Sequence, residues 1–339
     1  MVHRFEDTHM KPAFVTPILR SLAEELGYTL DVEPRYGYAA RLVLPDGRTR
    51  LLRNTVFDLN GAGATDIAKD KDYAAYFLAR SGYPVPEGDS FHTRDWARRI
   101  GSDRTVERAW EYAQRLGLPV IVKPNSKSQG AGVALVHTKR DFFRAVSRAS
   151  KNERVFLVQR PVPGRDYRIV VLDDEVISAY ERLPLTVVGD DRSTIAELLA
   201  AKQRAFDAED RDTQLQADDP RITATLRRRG LTQASVLPSG QAVALLPNAN
   251  LSTGGDARDV TSNLHPAWKE RAVRIARDMN LRYAGVDVMT EADLSDPPGV
   301  HVVVEINAAP GLDNYAAAGE IQARIVRDLY RKVLRALAA

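Results

Sequence analysis

Two strongly apolar runs near the C-terminal end each carry a carboxylate in their interior: Gly285-Val286-Asp287-Val288-Met289 and His301-Val302-Val303-Val304-Glu305-Ile306-Asn307. An acid inside an otherwise buried strand is expensive to keep ionised unless a compensating charge meets it. Period-two alternation sets Glu305 and Asn307 on one face of their strand. An antiparallel neighbour presenting Asp287 to that face would assemble two carboxylates and an amide oxygen. Such all-oxygen ligands suit Mg2+, with Mn2+ as an alternative, because Mg2+ takes one or two carboxylates and fills its octahedron with water and nucleotide phosphates. The competing reading is a buried acid paired with an arginine such as Arg282.

At 339 residues the chain suits two or three lobes sharing a cleft. Its hydrophobic fraction of 44% and charged fraction of 27% are those of a soluble globular protein, and no apolar run approaches a bilayer span. Residues 1–14 mix charges of both signs without an apolar core, so they read as neither signal nor transit peptide, and the expected location is cytoplasmic. The absence of cysteine excludes disulfides, thiolate metal sites and a cysteine nucleophile, leaving oxygen or imidazole to hold any metal. His3, His9, His92, His137, His265 and His301 show no ligand spacing and receive no role. With Lys+Arg 48 against Asp+Glu 45 the net charge of +3 is too small for sequence-independent nucleic-acid binding; neither nucleic acid nor membrane is an expected partner. The basic clusters Arg227-Arg228-Arg229 and Arg98-Arg99 to Arg108 read as solvated helix faces.

Along the chain, a helix from Thr16 to Leu26 ends at Gly27. A hairpin follows, its strands Tyr38 to Leu44 and Arg50 to Arg53 joined by Pro45-Asp46-Gly47-Arg48. Helices over Asp70 to Ser81 and Arg104 to Leu116 close at Gly82 and Gly117. Strands Val120 to Pro124, Ala134 to Val136 and Val155 to Gln159 surround a helix from Lys139 to Ser150. Pro161, Pro163 and Gly164 then mark a hinge between lobes. Strands near 167–172 and 176–182 turn at Asp173-Asp174, and a helix runs from Ser193 to Lys202. The polar, acidic stretch Asp207 to Pro220 reads as an exposed loop. The remainder holds a helix (Pro266 to Met279), strands Ala284 to Met289 and Val300 to Ile306, and a final helix from Ala316 to Leu337.

Between the first two of those strands lies Lys123-Pro124-Asn125-Ser126-Lys127-Ser128-Gln129-Gly130-Ala131-Gly132-Val133. A lysine at the end of a buried strand is a point positive charge, and a Ser/Gly-rich loop lets backbone N–H groups close over phosphate oxygens. The loop lacks the Gly-Lys-Ser/Thr ending of a P-loop and no helix follows directly, so by itself it reads more readily as a flexible turn. Paired with the downstream carboxylates it gains a purpose, one part handling phosphates and the other the metal that bridges them. The run Asn248-Ala249-Asn250-Leu251-Ser252-Thr253-Gly254-Gly255-Asp256-Ala257-Arg258-Asp259-Val260-Thr261 has no hydrophobic period and reads as an extended loop, with a solvated surface turn as the plain alternative.

Taken in order, these segments resemble the ATP-grasp superfamily, in particular the ATP-grasp domain of cyanophycin synthetase and its glutathione-synthesising relatives, over about residues 65–315. The resemblance rests on Asp66-Ile67-Ala68-Lys69-Asp70-Lys71, Pro84-Val85-Pro86-Glu87-Gly88, Val122-Lys123-Pro124, Gly164-Arg165-Asp166-Tyr167-Arg168, Val188-Gly189-Asp190, Thr194-Ile195-Ala196-Glu197-Leu198, the Asn248 to Gly255 run and Val304 to Gly311. It implies an α/β (α+β) fold in which two α+β lobes clasp ATP: a short N-terminal segment over 1–65, a small lobe over 66–158 and a large lobe over 159–339. It implies that Lys71 and Lys123 hold nucleotide phosphates beneath a mobile loop containing Ser126, Gln129, Gly130 and Gly132. Gln159 to Val162 would read adenine through backbone groups and Asp166 would bind the ribose. Asp287, Glu305 and Asn307 would ligate magnesium. Arg168 and Arg182 would act with Lys123 at the acyl phosphate or acceptor, and Asn250, Ser252, Gly254 and Gly255 would approach the acceptor. Gln159 stands where relatives usually carry glutamate and Pro161 where they carry an aromatic or aliphatic residue.

The activity so implied is an ATP- and Mg2+-dependent carboxylate–amine ligation through an acyl phosphate, with an amino acid or small peptide as substrate and a homodimer as the default assembly. Competing readings are a glutathione-synthetase-type ligase, a carboxylate or hydroxyl kinase, and a nucleotide-binding module without chemistry. The chain ends at Ala339 without the Mur-ligase-like half of cyanophycin synthetase, so polymer synthesis by that full two-step route is not expected.

Overall fold

The computed structural model describes residues 14–127, 130–209, 211, 213–317 and 319–339, apart from the side chain at 314. They cluster into two compact units, the described residues up to Gly61 with those of Ala309–Ala339, and those of Ala62–Ala308.

In the first unit α1 (Val15–Glu25) buries Val15, Leu19, Leu22 and Ala23 at helical spacing, and the chain turns at Gly27, φ +71°. An antiparallel meander follows in sequence order: β1 (Thr29–Val32), β2 (Ala39–Val43), β3 (Thr49–Arg53) and β4 (Val56–Phe57). The expected hairpin is the pair β2–β3, with Val43 opposite Thr49.

The second unit opens with α2 (Ala62–Lys69) and α3 (Lys71–Arg80). Next come β5 (Gly88–His92), α4 (Arg94–Ile100), α5 (Val106–Leu116), β6 (Val120–Pro124), β7 (Ala134–Val136), α6 (Lys139–Ala149) and β8 (Val155–Gln159). The four strands form an antiparallel sheet ordered β5-β8-β6-β7, and α5 and α6 bury Ala109, Ala113, Phe142 and Ala145 against Val120, Val122, Phe156 and Val158. Beyond it, β9 (Arg165–Leu172) and β10 (Glu175–Leu183) form a hairpin. A small core then gathers β11 (Thr186–Val188), α7 (Ile195–Ala208), α8 (Pro220–Arg228) and β12 (Ala242–Ala244). After it run β13 (Asp256–Asp259), α9 (Pro266–Asp278), β14 (Tyr283–Thr290) and β15 (His301–Asn307). The resulting five-stranded sheet is ordered β13-β10-β9-β14-β15 and every pairing is antiparallel. The α+β character expected from the sequence is what the chain adopts. The C-terminal α10 (Asp313–Ala316) and α11 (Glu320–Ala338) return to the first unit, where α11 packs on α1 and the Phe57 and Tyr330 rings meet edge-on at 5.9 Å.

The two faces of the five-stranded sheet differ in kind. Tyr167, Ile169, Ala179, Val286, Val288, Val303 and Ile306 line one face and pack with Trp268, Ala272, Ile275 and Ala276 of α9. The other face carries Asp166, Arg168, Arg182, Asp287 and Glu305. β15 serves both through a bulge: Asp287 pairs with Glu305, but the next residue, Val288, pairs with Val303, leaving Val304 as the extra residue. In a regular strand, with Val304 taking its own place in the alternation, Glu305 would share the apolar face with Val303.

Four regions differ from the sequence reading. Within the run Asn248 to Thr261, read as an extended loop, Asp256–Asp259 form β13, paired with β10. The helix expected to end at Lys202 continues to Ala208, because Phe206 is buried on the same stripe as Ile195 and Leu199. The stretch read as an exposed loop from Asp207 to Pro220 is partly interior: Arg211 and Thr213 are buried, and Arg211 donates to the carbonyls of Leu251 and Gly255 with its guanidinium 4.0 Å from the Phe206 ring centroid. The single final helix is two, α10 and α11, with Gly319 at φ +151° preceding the second. No helix among the described residues is long and apolar enough to cross a membrane.

The turn into β9 depends on one glycine. Gly164 has φ +116°, and a Cβ there would lie 2.6 Å from the Thr290 carbonyl oxygen. Gly164→Ala therefore combines backbone strain with a clash against rigid backbone, and should lower the unfolding free energy by about 1–3 kcal/mol, read as a lower urea midpoint with unchanged m-value.

Candidate active site

α3 begins at Lys71 because Asp70 caps it, its carboxylate accepting from the N–H groups of Asp72 (3.1 Å) and Tyr73 (3.0 Å). The Lys71 ammonium lies 3.2 Å from a Glu305 carboxylate oxygen and donates to the Lys127 carbonyl at 2.7 Å. Lys123, on β6, is buried and makes no ion pair or hydrogen bond among the described residues. Burial pushes its ammonium down to about 8, opposed by Glu305 and reinforced by Lys71. Two lysines thus share one acid.

Beside them the polar face of the sheet holds four interlocked charges. Registers place Arg168 opposite Asp287 and Arg182 opposite Asp166. The Arg168 guanidinium donates to both Asp287 oxygens at 2.7 Å in a parallel fork. Arg182 lies 2.5 Å from Asp166 and 3.0 Å from Asp287. Burial alone would raise the Asp287 carboxyl, but Arg168 and Arg182 outweigh it and hold it below its ordinary value. At Asp166 burial wins, and its carboxyl stands above its ordinary value despite Arg182. Arg282, the arginine suggested by its nearness in sequence, is bonded instead to Asp173 at 2.7 and 3.1 Å. Asp287 therefore faces Glu305 across a strand pair, and the arginine it meets is Arg168 and not Arg282.

Asn307 follows on the same face as Glu305, and its side-chain Nδ2 is buried with no hydrogen-bond partner among the described residues. No cluster of three or more His, Cys, Asp or Glu suited to a metal occurs among them. The available set is two carboxylates, Asp287 and Glu305, and one unsatisfied amide. That donor chemistry fits a hard divalent cation that keeps part of its water shell.

Gly130 and Gly132 take φ +67° and +78°, and a Cβ at Gly130 would strike the amides of Asn250 and Asn248, so the glycine loop closes onto the Asn248 to Gly255 run. Ser126 is exposed; Gln129 lies outside the described residues. Gln159 is buried at the end of β8 between Gly88 and Ile121, with Val162 half-buried beyond it. Ser252 sits in a short 3-10 turn, Leu251–Thr253. The tight approach at Gly254 and Gly255 is made by the protein itself: a Cβ on Gly254 would strike Leu215, and one on Gly255 would lie 2.5 Å from the Leu183 carbonyl oxygen.

Residue-level reading alone missed the arginine pair, although Asp166 and Arg168 alternate with apolar Tyr167 and Ile169 and so announce a two-faced strand. It also missed Arg211, whose polar surroundings gave no signal.

Residues 77–191 match the family model described as the D-ala D-ala ligase C-terminus, and residues 247–329 match the RimK-like ATP-grasp domain. This chain belongs to the ATP-grasp superfamily. The cyanophycin synthetase of Trichormus variabilis is 34% identical over 275 residues, covering 79% of this chain and 29% of the relative. The glutathione biosynthesis bifunctional protein GshAB of Mannheimia succiniciproducens is 32% identical over 264 residues, covering 72% of this chain and 32% of the relative. The chain spans less than a third of the length of these two relatives. A bifunctional glutathione synthetase from Pasteurella multocida shares the fold with TM-score 0.58 and 24% identity, over 93% of this chain and 44% of that one. ATP-grasp ligases use ATP and a divalent metal, which agrees with a site of two lysines beside two carboxylates and an amide.

The Arg168 fork is testable as a buried pair. Arg168→Ala should cost about 3 kcal/mol of stability in urea unfolding, the low end for such a pair because Arg182 still reaches Asp287. Replacing both partners, as Arg168→Met with Asp287→Leu, should recover most of that loss; a double variant no more stable than the single one would show that the fork is not the source.

Proposed function

We propose that this chain is an ATP- and magnesium-dependent carboxylate–amine ligase that joins an amino acid or small peptide through an acyl phosphate. The observation that carries the reading is the charge imbalance at Glu305: Lys71 and a buried Lys123, which has no ion pair among the described residues, converge on one carboxylate, beside Asp287 and an Asn307 amide unsatisfied among them. Such a surplus of buried positive charge calls for a polyanion.

In this reading residues 66–158 and the part of 159–339 that carries the five-stranded sheet form the two halves of the clasp. Lys71 and Lys123 hold phosphate oxygens, and the loop with Ser126, Gln129, Gly130 and Gly132 covers them. Backbone groups from Gln159 to Val162 take the adenine and Asp166 the ribose. Asp287, Glu305 and Asn307 hold Mg2+, which supplies charge neutralisation at the phosphates. The side chains need no nucleophile. Lys123 steadies the phosphoryl group during transfer to the substrate carboxylate, and Arg168 or Arg182 steadies the oxyanion formed when the amine attacks. Loop closure keeps water from the acyl phosphate. The relatives at about a third identity include glutathione-forming proteins, so a γ-glutamyl dipeptide with glycine belongs in any substrate panel.

The test is phosphate release with ATP, Mg2+ and a panel of carboxylates and amines. Amine-dependent release is expected, with Glu305→Gln and Asp287→Asn each lowering it by about 10²–10³-fold. ADP formation that needs no amine and leaves the phosphate on the substrate would make the chain a kinase, and tight nucleotide binding without ADP formation would make it a module without chemistry.

Lys123 also dictates a pH dependence. With its free-state value at about 8, a rise in pH discharges the ammonium in the empty protein before it does so in the complex. Nucleotide affinity should then fall above pH 8 by up to about tenfold per unit. Titration calorimetry with ADP between pH 7 and about 9.5 checks this, and Lys123→Arg, which stays charged throughout, should flatten the profile.

A further inference from the structure

Lys71 and Lys123 come from different elements, a helix start and a strand end, and something must set the distance between them. The side chain of Asn125, two residues beyond Lys123, is buried at 3% exposure and reaches the first turn of α3. Its Nδ2 donates to Asp70 Oδ2 at 2.6 Å, and its Oδ1 accepts from the Asp72 N–H at 3.0 Å. Its backbone carbonyl accepts from the Lys71 N–H at 3.4 Å, and its own N–H donates to Val155 at 3.2 Å. Residues 70, 71 and 72 are therefore each bonded to Asn125, with Lys71 in the middle. On the far side of the joint Asp72 accepts from the Ser90 hydroxyl at 2.8 Å, which ties the same turn to β5.

Apolar packing adds little to these polar ties. α3 buries only Ala74 and Leu78, while Tyr73, Tyr76 and Phe77 are exposed. Two small apolar contacts fix a helix against a core but leave rotation and axial position loose. A bidentate amide clamp on the first turn removes that looseness, and ångström-scale misplacement of a charged group at a reacting centre can cost on the order of 100-fold. An ordinary N-cap is already present in Asp70, so Asn125 is surplus to helix formation.

We infer that Asn125 is a positioning residue, which acts through Asp70 and Asp72 to hold the Lys71 ammonium in register with Lys123 for binding nucleotide phosphates. The inference rests on Lys71 being a phosphate-binding residue in the proposed function.

The experiment measures ADP affinity in the presence of Mg2+ by titration calorimetry on the full chain. Asn125→Asp keeps the shape and the bond from the Asp72 N–H but sets a carboxylate against Asp70; it should weaken ADP by about tenfold, the scale of one lost charge-assisted bond. Adding Asp70→Asn to Asn125→Asp exchanges donor and acceptor while keeping a competent cap, and should restore the affinity. In a Lys71→Ala background, Asn125→Asp should have no further effect. A purely structural role would lower stability in both backgrounds and recover it on the exchange, without ADP affinity following that loss and recovery. Unchanged ADP affinity in Asn125→Asp, or an equal loss with and without Lys71, overturns the inference while leaving Lys71 as a phosphate ligand. ADP affinity unchanged in Lys71→Ala alone overturns the reading of Lys71, and the inference with it.

Discussion

The fork between Arg168 and Asp287 is the interaction on which the polar side of this molecule depends. Two arginines and two aspartates are removed from much of their water there, at a desolvation cost of several kcal/mol per ion. That cost is offset only because each charge has a partner at hydrogen-bond distance, Arg168 and Arg182 on Asp287 and Arg182 again on Asp166. The pairs join β9 to β10 and β9 to β14, so they also resist sliding. A one-residue slip of β9 would carry Arg168 into the layer occupied by Tyr167 and Ile169, against α9. The register of the five-stranded sheet is thus guarded on both faces, by apolar packing on one and by charge pairing on the other.

The same cluster bears on metal binding in the proposed reaction. Asp287 gives both oxygens to Arg168, so a divalent cation sharing Asp287 has to take the place of part of that fork. Glu305 likewise is engaged by Lys71. Protein cations neutralise these acids. On the proposed reading, Mg2+ held by Asp287, Glu305 and Asn307 would supply positive charge beside those acids, leaving Lys71 and Lys123 for phosphate and Arg168 and Arg182 for a substrate carboxylate. Nucleotide phosphates compensate for the added positive charge, which makes metal and nucleotide together a better occupant of the site than the metal alone.

Much of this was legible in the chain because the relevant signals are local. Val120 to Pro124 reads as a buried strand from five residues, and Glu305 with Asn307 read as one face from their spacing. The opposition of Asp287 and Glu305 followed from placing two apolar runs side by side. The arginine partner did not follow, because β9 and β14 are more than a hundred residues apart and a nearby Arg282 competes for the assignment. Nor did the extra residue Val304: strict alternation puts Val303 and Glu305 together, and only a bulge separates them. β13, Asp256–Asp259, is an edge strand made chiefly of charged residues, so it has no apolar period to detect.

Arg211 shows why composition alone misled. The stretch around it is polar and acidic, which in isolation signals solvent. Its guanidinium, however, stacks on Phe206 and finds acceptors in the carbonyls of Leu251 and Gly255 and near Asp256, at 3.5 Å. Arginine can be buried in this way because its flat, weakly hydrated head stacks on a ring while five N–H groups remain free to bond in its plane. The carbonyls it satisfies belong to the Asn248 to Gly255 run, which has few regular backbone partners of its own. A loop poor in hydrophobic residues cannot be positioned by packing, so it is positioned by hydrogen bonds from a charged residue that looks like surface. The shape of that loop, onto which Gly130 closes, is therefore set by residues far from it in the chain.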